Sequence, residues 1–131
     1  MPAGDLFAGP QRHDIDDAVR AAERLSGLTF SVYVGGAEEE FRAYAERLHS
    51  SLPAPATSVL VVVDPAARLL EIVTGAEARR LISDEEARLA ALAMQSAFAE
   101  GDLAGGIVTG VQQLAEHARR PETLHTTDTE A

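Results

Sequence analysis

Cysteine is absent from this 131-residue chain, and so are lysine, asparagine and tryptophan. Without cysteine there is no disulfide, thiolate zinc site, iron–sulfur cluster or cysteine nucleophile. Without lysine, all 11 cationic side chains are arginines, which excludes Schiff-base catalysis and a P-loop lysine. Positive charge is scarce altogether: 21 acidic residues give a formal net charge of −10 and a pI near 4.7. That balance opposes nucleic acid and anionic membrane surfaces as partners. Long apolar runs are lacking too. Val59–Val63 and Ala90–Met94 fall far short of the ~20 residues of a membrane span. Met1–Pro10 has neither the basic nor the apolar region of a secretory signal, so the expectation is a soluble cytoplasmic protein with no direct membrane insertion.

What is present reads as one domain. Gly4, Gly9, Pro2 and Pro10 suggest a flexible arm over residues 1–12, and the Thr-rich stretch 120–131 suggests a disordered tail. Residues 13–119 carry the punctuation of a fold. Asp14 is placed to N-cap a helix with Ile15, Ala18, Val19, Ala22 and Leu25 inside, closing at Ser26-Gly27. Leu28–Val34 alternates as a strand and stops at Gly35-Gly36. Glu38–Leu52 has helical spacing through Phe41, Tyr44, Ala45, Leu48 and Leu52, with acids in its first turn. Ser58–Val63 is continuously apolar, as in a strand covered on both faces, and Asp64–Arg68 turns the chain into Leu69–Val73. Ser83 and Glu86 form a capping box. The helix it opens has Leu89, Leu92, Ala93, Ser96 and Ala97 as its expected inner face, and a last helix runs from Asp102 to about Arg119. The order α-β-α-β-β-α-α predicts a three-layer α/β/α domain around a small mixed sheet. Its first two strands are parallel through a right-handed crossover, and its third is antiparallel.

From Phe30 to Ala118 this order and four local strings resemble the TPM domain. They are the strand and helix of Phe30–Leu48, the hairpin SVLVVVDPAARLLEIVTG, the string LISDEEAR, and FAEGDLAGGIVTGVQQL. The chain also resembles a small actinobacterial family of uncharacterised proteins that looks like a soluble variant of that domain. The resemblance implies a small mixed sheet between helices, calcium-like ion binding in some relatives, and the acid-phosphatase activity proposed for plant members. Two family features differ here. Ala56-Thr57-Ser58 stands where TPM domains have Asp-Asn-Gly, and Gly75-Ala76-Glu77 replaces a Gly-x-Gly.

Three carboxylates are candidate metal ligands: Asp64, Asp84 and Asp102. Each has a plainer role open to it, Asp84 as a first-turn acid on the helix dipole, Asp102 as an N-cap and Asp64 as a turn residue. The topology places Asp64 and Asp102 toward one sheet edge and Asp84 toward the other, beside Ala56–Ser58. Gly35 and Gly36 share the Asp64 edge, where a helix N-terminus could receive an anion, although Glu38–Glu40 oppose one. Gly101, Gly105, Gly106 and Gly110 suit close helix packing better than a phosphate loop. The four histidines, at 13, 49, 117 and 125, read as surface residues. No cofactor is expected, with weak Ca2+ or Mg2+ binding the one ion chemistry left open. The functional expectation is a non-enzymatic protein-interaction module, self-associating or docking to a protein partner. The alternative is a divalent-metal-dependent phosphatase using Asp64, Asp84 or Asp102.

Overall fold

Six consecutive apolar or small residues, Ser58 to Val63, are buried on both faces, and the rest of the chain is arranged around them. In a computed structural model that describes residues 7–119, they form the middle strand of a three-stranded sheet. The elements are α1 (Gly9–Ser26), β1 (Thr29–Val34), α2 (Phe41–Ser50), β2 (Ser58–Asp64), β3 (Leu69–Thr74), α3 (Asp84–Ala99) and α4 (Leu103–His117). β1 lies parallel to β2, with Val34 opposite Val63. β3 lies antiparallel on the other side, with Asp64 opposite Leu69. The expected order and sheet directions are those observed. Among the described residues no helix is long and apolar enough to cross a membrane.

Strand alternation sorts the side chains into two cores. Val59, Val61 and Val63 join Phe30, Val34, Ile107, Val111 and Leu114 under α1, α3 and α4. Leu60 and Val62 face the other way and meet Phe41, Ala45 and Val73 under α2. The larger core therefore lies beneath three helices and the smaller beneath one, which completes the three layers.

Several local readings change on folding. α1 begins at Gly9, so Asp14 is inside the helix rather than capping it, and residues 9–12 belong to the domain. Pro10 fits the first turn, where it has no needed N–H to lose, and the Gln11 side chain accepts the Ala8 N–H at 3.0 Å. Residues 1–6 and 120–131 lie outside the described residues. α2 begins at Phe41, with Glu40 as its N-cap accepting from the Ala43 and Arg42 N–H groups. The acids at 38–40 thus precede the helix and do not fill its first turn. His49, expected at the surface, is buried, and its Nε2 donates to the Ser58 carbonyl at 3.0 Å.

The largest change is the rotation of α3. Its buried residues are Ala90 and Met94, while Leu89 and Leu92 are 46% and 56% exposed. The cause is on α4. A Cβ at Gly110 would fall 2.1 Å from Met94 Cε, and one at Gly106 would fall 2.7 Å from Phe98 Cε1. With two side chains missing, the helices approach closely, and Met94, Ala97 and the Phe98 ring fill the space that a Cβ would take.

Gly75 holds the far end of the sheet to the loop before β2. Its N–H donates to the Ser58 carbonyl at 2.9 Å, and an added Cβ would sit 1.9 Å from the Pro55 carbonyl oxygen. Backbone cannot swing aside as a long side chain can, so Gly75→Ala should destabilise the domain by about 2 kcal/mol. Gly9→Ala, with nothing within 4 Å of the new methyl, should change stability by less than about 0.5 kcal/mol. Urea denaturation of the two variants measures the contrast.

Candidate functional site

Two of the three carboxylates expected to bind metal, Asp64 and Asp102, are engaged by backbone. Asp102 is the N-cap of α4, and its Oδ1 accepts the Gly105 N–H at 2.9 Å. An added Cβ at Gly105 would fall 2.2 Å from Asp102 Oδ2, so the glycine makes room for the cap. Asp84 stands in the first turn of α3, behind the Ser83 cap. There Ser83 Oγ accepts the Glu86 N–H at 3.1 Å and Glu86 accepts the Ser83 N–H at 3.0 Å. Asp64 Oδ1 accepts the Ala67 N–H at 3.2 Å and closes the β2–β3 turn.

The expected grouping is met in part. Gly36 and Asp64 do come together: a Cβ at Gly36 would lie 3.5 Å from Asp64 Oδ2. Asp84 is at the opposite end of the sheet, and Gly101 and Leu103 lie with Asp64 around one cleft. Strand alternation, however, sends the Asp64 side chain after Leu60 and Val62 to the α2 face, whereas Asp102 caps a helix on the other face. Among the described residues no three histidine or acidic groups converge as metal ligands.

Two concave surfaces lie beside the sheet. The cleft near Asp64, about 500 Å3, lies between the β2–β3 turn and the α3–α4 junction and is lined by Arg68, Leu70, Gln95, Phe98 and Leu103. The larger, about 690 Å3, runs between the first turns of α1 and the outer edge of β1, along Phe7, Arg12, Ile15, Val19, Phe30 and Val32.

The second surface borders an open strand edge. The Gly35 N–H donates to the Val63 carbonyl at 2.9 Å. In a parallel ladder this phase turns the backbone groups of Thr29, Ser31 and Tyr33 toward β2 and those of Phe30, Val32 and Val34 away from it. The Phe30 N–H is taken by the Glu23 carboxylate at 3.0 Å. Val32 has no such partner among the described residues, and Val34 is fully buried.

The opposite edge is different. The Gly75–Ser58 bond turns Leu70, Ile72 and Thr74 outward on β3. There Arg42 donates to the Ile72 carbonyl at 3.4 Å and Arg79 to the Thr74 carbonyl at 2.6 Å. Glu71, then Glu46, hold the Arg42 guanidinium above its ordinary pKa, so this guard is cationic at every physiological pH.

Sequence reasoning missed the edge. Its one signal was the alternation of Phe30, Val32 and Val34, which fixes a strand but not which of its sides is paired.

The sequence profile of a domain of unknown function, DUF5130, matches residues 4–115. The chain belongs to that family. It is 29% identical over 115 residues to an uncharacterised protein of Mycobacterium tuberculosis, MT2543, and to Rv2468c of a second strain. The match covers 88% of this chain and 65% of each relative, so the chain spans just under two thirds of their length. Among solved structures, the BA42 protein of Bizionia argentinensis has a TM-score of 0.78 at 20% identity, over 86% of this chain and 81% of that one. The N-terminal domain of cg2496 from Corynebacterium glutamicum has a TM-score of 0.72 at 13% identity, over 86% and 74%. At these identities the likeness shows a shared fold.

The carboxylate geometry gives a stability order. Asp102→Ala should cost about 1 kcal/mol as loss of an N-cap, and Asp84→Ala about 0.3 kcal/mol, since only the helix dipole is affected. Thermal melts of the two variants, with and without calcium, check that order and its independence of the ion.

Proposed function

We propose that the domain is a TPM-like, non-enzymatic protein-interaction module that docks an extended segment of a partner against Val32 at the outer edge of β1. The observation that carries this reading is the outward-turned backbone of Val32 in the groove along α1. Strand addition takes its affinity from main-chain hydrogen bonds and its selectivity from pockets for alternate side chains. Both are on offer at β1, where apolar walls from Ile15, Val19 and Phe30 line the strand. The TPM-like assignment is supported by four sequence strings in family order together with the observed element order.

Amide exchange tests the open edge directly. In the free protein the Val32 amide should exchange faster than those of Ser31 and Tyr33, which donate to β2. Equal protection in all three would mean that the edge is covered and would remove the reading. Val32→Pro deletes one outward N–H without touching the ladder, so circular dichroism should stay native while strand addition is lost.

A further inference from the structure

We infer that the cleft beside the β2–β3 turn binds a small apolar carboxylate, an alkanoate or arylalkanoate, with the Arg68 guanidinium holding its charged end. This site is separate from the groove at Val32 and stands without that reading. Its volume of about 500 Å3 is in the range of sites that enclose small ligands. Leu70, Phe98 and Leu103 line it, and all three are only partly buried where they pack on the larger core. Its polar side chains are those of Asp64, Arg68 and Gln95. Asp64 is already committed to the turn through the Ala67 N–H. The charge left to meet a ligand is that of Arg68, and an apolar body ending in one carboxylate matches the walls and the guanidinium together.

Arg68 is a costly residue for its place. Its φ is 60°, and among the described residues it alone has a positive φ without being glycine. A Cβ is crowded in that conformation, and glycine relieves it. The turn requires the conformation: the Arg68 N–H donates to the Pro65 carbonyl at 3.3 Å, and Leu69 then pairs with Asp64. The side chain adds nothing to the turn, since the guanidinium makes no hydrogen bond or ion pair among the described residues. Arg12 is equally unpaired, but it stands on ordinary helical backbone. At Arg68 a long cation is kept at the mouth of a cleft against the preference of its own backbone, and strained residues of this kind cluster at ligand-holding positions. The facing bank is the C-terminal end of α3, at Phe98 and Ala99, where the helix dipole is negative. A carboxylate is therefore accepted at the Arg68 bank, and the apolar body lies toward Phe98 and Leu103.

The test titrates the whole chain with hexanoate, hexanol, hexylamine and acetate, read by the amide chemical shifts of Arg68, Leu70, Gly101 and Leu103. Hexanoate should move these amides saturably and bind about fivefold more tightly than hexanol, as one exposed ion pair allows. Hexylamine should bind more weakly than hexanol, and acetate, which has no apolar body, should not saturate. Arg68→Gly should raise the melting temperature by ~3 °C through relief of the backbone and bring hexanoate and hexanol to equal affinity. Arg68→Lys should retain a smaller preference for hexanoate, because a point charge replaces the bidentate fork. Equal binding of hexanoate and hexanol to the native chain overturns the proposal, as does a preference that survives Arg68→Gly. The absence of any saturable shift at these amides overturns it too. So does a lower melting temperature in Arg68→Gly, which would mean that the arginine serves the turn itself.

Discussion

Burial of β2 on both faces and along both edges is the constraint from which the rest of the architecture follows. Val59, Val61 and Val63 demand cover on one side, and Leu60 and Val62 demand it on the other. A single helix cannot satisfy both, so the chain must cross the sheet. The α2 crossover that makes β1 and β2 parallel does this once, and the short β2–β3 turn returns the chain for α3 and α4. At roughly 25 cal/mol per Å2 of apolar surface, this strand is the most valuable burial in so short a sequence. Each terminal helix is placed by its need for it.

Much of this was legible in the sequence because the signals were local. The Ser83–Glu86 capping box, the Asp102 cap and the Asp64 turn act over three or four residues, and no distant contact competes with them. The continuous apolar string at Val59–Val63 could only be a doubly covered strand. The facing of α3 was not legible, because it depends on a second helix. Leucines at 89 and 92 look like a core stripe until Gly106 and Gly110 bring α4 so near that Met94, Ala97 and Phe98 turn toward it instead. The start of α1 was misread for a related reason. Pro10 and Gly9 look like loop residues in isolation, but the first turn is the one place in a helix that accepts them.

The candidate site divides in the same way. Each carboxylate was correctly seen to have a cap or turn role open to it, and the backbone bonds of Asp64 and Asp102 are of that kind. Their separation depended on parity along β2. Asp64 is an even step from Leu60 and Val62, and a period of two sends it to the α2 side, away from the α3–α4 junction. The open edge of β1 required the full sheet order, since Phe30, Val32 and Val34 would read identically in a strand paired on both sides.

The unequal treatment of the two sheet edges has a consequence for how copies of this protein meet. If β1 of one molecule paired with β3 of the next, the arrangement would repeat without closing and grow into a filament. That path requires displacing Arg42 and Arg79 from the carbonyls of Ile72 and Thr74, and exposing charged groups along a strand is a common protection against such growth. A molecule can thus leave Val32 unpaired at the edge of β1 and still be a poor template for its own polymerisation. The two arginines on β3 are what make an open β1 tolerable.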